Sequence, residues 1–136
     1  MKTKILAVFL LVLTFAACKK ESDWADDWAG TYTGLAGSVN VNRVIISKVG
    51  AKAVKMDLQG YTSGTYFTFA TIGSGTLTSA THASIDEDGT ILMYPGKVFH
   101  FSGSVDRNGS NITMIGQAVN KNDASEIYYY SFNGGK

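Results

Sequence analysis

From Gly30 onward the chain repeats one pattern: short runs in which apolar and polar residues alternate with a period of two. Val54, Met56 and Leu58 alternate with Lys55 and Asp57, the mark of a strand buried on one face. Phe67 and Phe69 share a face within Thr65–Ala70. Leu77, Ser79, Thr81, Ala83 and Ile85 share one in Thr76–Ile85, against a more polar face carrying His82. Phe99, Phe101 and Val105 fall together, with His100 opposite, and Ile112, Met114 and Ala118 repeat the arrangement. Thr31–Leu35 is a short first strand, and Glu126–Phe132 closes the chain with three consecutive tyrosines, Tyr128, Tyr129 and Tyr130. Val39–Lys48 starts with Val39 and Val41 on one face. The run Val44-Ile45-Ile46 then breaks alternation, as a bulge or burial of both faces would.

Turn chemistry separates these runs. Asp88-Gly89 and Asn108-Gly109 predict tight hairpins, because both pairs tolerate the positive φ of a type I′ turn. Thr90–Tyr94 is then a returning strand, and Pro95-Gly96 the next turn. Val49-Gly50-Ala51, Gly60–Gly64 and Gly73-Ser74-Gly75 are read as further turns, and Asn120–Ala124 as a polar loop. Before Gly30, Trp24 and Trp28 fit one short helical turn. The expected fold is all-β: eight or nine strands in an antiparallel up-and-down meander. Closing the meander into a barrel removes its exposed edges, and a two-sheet β-sandwich is the competing arrangement.

The front of the chain has a different pattern. Lys2 and Lys4 precede Ile5–Ala17, an apolar run interrupted only by Thr14. At about 13 residues it suits a signal-peptide core and is too short to span a bilayer. Phe15-Ala16-Ala17-Cys18 follows, with Leu13 nearby. This segment resembles the lipobox of bacterial lipoproteins. The resemblance implies cleavage before Cys18, a diacylglycerol on its thiol and an acyl chain such as palmitate on its amine. Two or three acyl chains make anchoring effectively stable. The expected location is therefore the cell envelope, lipid-anchored at the outer membrane, on its periplasmic or surface face. Expected boundaries are a signal peptide over 1–17, a lipidated tether over 18–27 and a β-barrel domain over 28–136. In the tether, Glu21, Asp23, Asp26 and Asp27 form an acidic run. It reads as a solvated linker or as a loose version of the acidic surface-export signals found in some envelope lipoproteins.

Composition narrows the chemistry. Cys18 is the only cysteine, so the exported domain has no disulfide, thiolate metal site or cysteine nucleophile. The formal charge of +1 becomes about −1 once Lys2 and Lys4 are removed, and no basic patch stands out. Nucleic acid is therefore not an expected partner. About 119 mature residues suffice for one domain with a real core.

Trp28-Ala29-Gly30-Thr31-Tyr32-Thr33-Gly34 opens the domain. A Trp just before the first strand, followed by a meander, resembles the lipocalin and calycin-like barrels and the small lipocalin-like envelope lipoproteins. The resemblance implies that Trp28 plugs one barrel end. Asp26 stands where that family has Gly. The family also packs a late arginine on the Trp, and here the last arginine is Arg107.

Candidate chemistry is sparse. His82 and His100 lack H-x-H or HExxH spacing, and read as exposed side chains unless their strands are neighbours. Asp86-Glu87-Asp88 reads as a charged hairpin tip, since no complete cation loop surrounds it. Neither a phosphate loop nor a nucleophile elbow is present, so no enzyme and no cofactor is expected. The aromatic set is the main candidate site. Phe67, Phe69, Phe99 and Phe101 either line a cavity for a small apolar ligand or fill the core. Arg43 joins that set if it follows Val39 and Val41 inward, where it would need an anionic partner. Two functions follow: binding a small apolar ligand in the barrel, or acting as a structural or interaction subunit that presents its β surface to another envelope protein. The other partner is the membrane, through the N-terminal lipid.

Overall fold

A computed structural model describes residues 23–36 and 41–136. The signal segment 1–17, Cys18, Glu21 and Val39 lie outside the described residues. One helical turn, α1 (Ala25–Trp28), leads into eight strands: β1 (Gly30–Ala36), β2 (Arg43–Gly50), β3 (Ala53–Thr62), β4 (Thr65–Leu77), β5 (His82–Gly89), β6 (Phe99–Asn108), β7 (Asn111–Asn120) and β8 (Asp123–Gly135). Each strand pairs with the next, and β1 pairs antiparallel with both β2 and β8. The sheet is thus a closed up-and-down barrel rather than a two-sheet sandwich.

Period-two patterning decides which way each strand faces. Val54, Met56 and Leu58 of β3 are buried, while Lys55 and Asp57 form an ion pair 3.0 Å long on the outside. Phe99, Phe101 and Val105 of β6, and Ile112, Met114 and Ala118 of β7, are buried in the same way. The Asn108-Gly109 turn forms as expected. Asn108 pairs with Asn111, and Gly109 takes φ +60°, which a side chain would resist.

Four local expectations are corrected. Thr76–Ile85 is not one strand: it holds the end of β4, a bend over residues 78–81 and the start of β5. Asp88-Gly89 is not a hairpin: both residues continue β5, facing His100 and Phe99 of β6. Thr90–Tyr94 is no returning strand. Residues 90–98 instead cross one end of the barrel, touching β4 through an isolated Ala70–Ile91 bridge and a Leu92 N–H to Phe69 O bond of 2.7 Å. The reason is burial. Ile91 is enclosed, and Tyr94 packs on Tyr128 and Phe99 with ring centroids 4.8 and 5.9 Å apart. Gly73-Ser74-Gly75 lies within β4, where the register with β3 shifts between Val54 and Met56. There the Glu87 carboxylate accepts the Ser74 N–H at 2.8 Å, replacing a ladder bond.

The segment expected to be tether also folds in part. Ala25 is fully buried, its N–H bonds to Ala51 O at 3.2 Å, and Asp23 and Asp26 both pair with Lys48. Residues 23–27 are seated on the barrel, and the carboxylates of Asp23 and Asp26 hold the Lys48 ammonium above its usual pKa.

Candidate functional site

The barrel is closed at both ends. At the end carrying α1, Trp28 is wholly buried and donates Nε1–H to Ala80 O at 3.0 Å. Tyr32 donates its hydroxyl to Trp28 O at 2.9 Å, and burial pushes that phenol's pKa up against the opposing pull of Arg107. The Arg107 guanidinium lies 5.9 Å from the Trp28 ring centroid and donates to Ala80 O at 3.4 Å. Arg107, at the end of β6, thus covers the Trp28 ring from the barrel rim.

At the other end, which we term the mouth, residues 90–98 form a lid. Its base is fastened by Glu126, whose carboxylate accepts two 2.8 Å bonds from Lys97 Nζ, one of 2.6 Å from Asn120 Nδ2 and one of 2.8 Å from Tyr128 OH. Lys97 above all, then Asn120 and Tyr128, holds the Glu126 pKa down at about 2. A hydrogen bond with Tyr94, and then the bond to Glu126, raises the pKa of Tyr128.

Of the two arrangements open to the aromatic residues, a lined cavity or a filled core, the packing follows the second. Phe69, Phe99 and Phe101 are buried, and Phe67 is half-buried with its ring centroid 6.5 Å from that of Phe69. The apolar space beneath the lid, among Leu58, Phe69, Phe101, Tyr128 and Tyr130, measures about 30 Å³. That is room for a single water, whereas small-molecule sites occupy roughly 300–1,000 Å³. A cleft of about 180 Å³ runs along the seam between β4 and the lid, lined by Thr68, Thr71, Thr90 and Leu92 among others.

Arg43 is absent from the interior. Val41 and Val44 are both buried with Asn42 and Arg43 between them, so alternation breaks before β2. Arg43 lies on the outer wall, where its guanidinium stacks 3.7 Å over the Tyr66 ring and its Nε donates to Gln59 Oε1 at 2.6 Å. Gln59 in turn donates to Thr68 Oγ1 at 2.8 Å, and aromatic stacking takes the place of the anion an inward arginine would need.

The histidines are on neighbouring strands but at opposite ends of them. His82 faces Asp106, with 2.6 Å between Nδ1 and Oδ1. His100 sits between Asp86 and Asp88 at 3.1 and 3.2 Å. At 3.4 Å per residue the two rings are roughly 20 Å apart, so they share no site. Lys121 and then His100 hold the Asp88 carboxyl below its usual range. Asp86, Glu87 and Asp88 lie within β5 and not at a hairpin tip. Among the described residues no three His, Cys, Asp or Glu side chains converge as a metal site.

A further concavity has no counterpart among the sequence expectations. It lies on the outer wall of β6, β7 and β8 and measures about 500 Å³. Its floor is the cross-strand pair Gly103–Gly116. A Cβ on Gly103 would stand 2.7 Å from Gly116 Cα and 3.1 Å from Tyr130 OH, and one on Gly116 would collide with the Tyr130 ring. Two glycines therefore let the wall sink onto Tyr130 from outside. Tyr130 donates its hydroxyl to Ser102 O at 3.3 Å, and burial raises the pKa of its phenol. Around this floor stand Ser102, Ser104, Ile115, Gln117, Tyr129 and Ser131. A sequence signal existed: the outward positions of β7 and β8 run Thr113, Ile115, Gln117, Val119 and Ile127, Tyr129, Ser131, Asn133, without one charge.

Comparison with protein-family models, curated proteins and solved structures returns no match for this chain.

Proposed function

We propose that this chain is exported to the cell envelope, anchored there by lipid on Cys18, and acts as an interaction module through the outer wall of β6–β8. The observation that carries the reading is a contrast of volumes. The void beneath the lid holds about 30 Å³, and the outer wall a concavity of about 500 Å³. Exposed Ile115 and Tyr129, each 60 % accessible, supply apolar contact area there. The anchoring half rests on the lipobox-like Phe15–Cys18 segment. The five steps from Cys18 to Asp23 reach at most about 18 Å. The Trp28-plugged end then rides near the bilayer, with the β6–β8 wall clear of it. The lipocalin-like likeness is kept as architecture, on the strength of the Trp28 plug under Arg107.

The test uses the chain from Lys19 onward, without lipid, mixed with isolated cell envelopes. Co-sedimentation should be saturable and lost in Ile115→Asp. Ser47→Asp, on β2, should leave it intact. Binding that both variants retain would refute the assignment of the wall.

A second reading has one observation in its favour. The void beneath the lid is wholly apolar, and Leu92 and Met93 on the lid are exposed. Lid movement would then admit a small apolar ligand onto Phe69, Phe99 and Phe101. Native mass spectrometry of the lipid-free chain with fatty acids distinguishes it: a retained ligand mass supports this reading, and a bare chain supports the filled barrel.

A further inference from the structure

We infer that the β6–β8 concavity is a binding site for an uncharged saccharide. This inference rests on the outer-wall reading and names what that wall holds. The first argument is charge. None of the side chains around the concavity is ionisable in the physiological range: Ser102, Ser104 and Ser131 bring hydroxyls, Gln117 an amide, Ile115 an alkyl chain and Tyr129 a phenol. Elsewhere on the same wall charge returns at once, since β6 carries His100 and Asp106 on either side of the two serines. A charged ligand would meet no counter-charge here.

The second argument is the kind of polarity. Hydroxyls and a primary amide both donate and accept hydrogen bonds, as do the hydroxyls of a sugar. A carboxylate or ammonium site would offer only one of the two. The third argument is shape. Tyr129 is 60 % exposed and stands at the rim beside Ile115, an apolar plane and an apolar edge of the kind that pack on the C–H face of a pyranose. Serine and tyrosine also lose little side-chain entropy when a ligand orders them. Gly103 and Gly116 share the inward face with Phe101 and Met114, and a Cβ there would strike Gly116 Cα or the Tyr130 ring, so their absence lets the wall lie close over Tyr130. A volume of about 500 Å³ lies within the range of small-molecule sites.

The experiment titrates the lipid-free chain, residues 19–136, with neutral glucan, xylan and mannan oligosaccharides while amide NMR shifts are followed. One of the three should produce saturable shifts at Ser102, Gln117 and Tyr129 by about 10 mM. Tyr129→Ala should weaken that binding by roughly tenfold or more, and Tyr129→Phe should keep most of it, since the ring face is retained. Both variants change an exposed side chain, and unaltered shift dispersion elsewhere shows that the barrel is intact. Absence of shifts at these residues with all three series overturns the inference. Shifts that follow protein concentration instead of sugar also overturn it and assign the wall to a second copy of the chain. If sugars fail while Ile115→Asp still abolishes envelope sedimentation, the saccharide is wrong and the outer-wall reading stands. If Ile115→Asp has no effect on sedimentation, the outer-wall reading falls first.

Discussion

Trp28 and Arg107 divide the closing of one barrel end between them. The indole fills the end and spends its only donor on Ala80 O, and the guanidinium covers the ring from β6. Trp28→Ala should lower unfolding free energy by about 3–5 kcal/mol, as expected for deleting a buried aromatic. Trp28→Phe keeps most of the packing and leaves Ala80 O with the Arg107 bond alone, for a cost of about 0.5–1.5 kcal/mol. Urea unfolding followed by circular dichroism measures both, and equal losses in the two variants would contradict this division. Glu126 makes the clearest pH prediction. Its pKa falls from an ordinary 4.5 to about 2 in the fold, so its contribution is complete above about pH 4.5 and is lost as pH falls toward 2. Urea midpoints in Glu126→Gln should therefore depend less on pH across that window than in the wild type. A parallel pH dependence in both proteins would remove Glu126 from the account.

Among the elements, those with regular alternation were legible in the sequence and those shaped by long-range contact were not. β3, β6 and β7 follow from their own apolar positions, and the Asn108-Gly109 hairpin from its own turn chemistry. The lid was misread because Asp88-Gly89 has the same local signal, while the deciding contacts come from far away in sequence. Tyr94 finds Tyr128, and Lys97 finds Glu126. Gly73-Ser74-Gly75 looked like a turn for the same reason, since the Ser74–Glu87 bond that keeps it in β4 joins two strands. The Gly103–Gly116 pair is the hidden part of the site. Each glycine is unremarkable alone, and only the register that sets them opposite each other over Tyr130 gives them meaning. Gly116→Ala should overpack this spot and cost about 1–3 kcal/mol, with near-UV dichroism of the tyrosines altered. A variant as stable as the wild type would mean that the wall has room the structure does not show. The lid has one ladder link to β4, so the Leu92 amide should exchange with deuterium sooner than the β6–β7 ladder amides. Equal protection would make the lid a ninth strand after all.

For the molecule as a whole, the period-two pattern predicted a closed meander and could not say how full it is. Aromatic residues at inward positions fit a lined cavity and a packed core equally well from sequence. The difference lies in the lid, which brings Ile91 and Tyr94 down onto Phe69 and Phe99. With both ends closed, interaction area remains on the outside, and the uncharged wall of β6–β8 offers a broad, shallow concavity there. The proposed lipid on Cys18 would complete this picture by fixing one end to the membrane. A fatty-acid analogue should label the wild-type chain and not Cys18→Ala, and equal labelling would remove the lipid from the proposal. The central claim is that the chain binds with its outer wall and not with its interior. The most direct measurement is photo-cross-linking in living cells, with a photoreactive phenylalanine at position 129 on the wall or position 93 on the lid. The account predicts a discrete cross-linked product from position 129 and none from position 93. Capture from position 93 alone would contradict it and return the function to the barrel mouth.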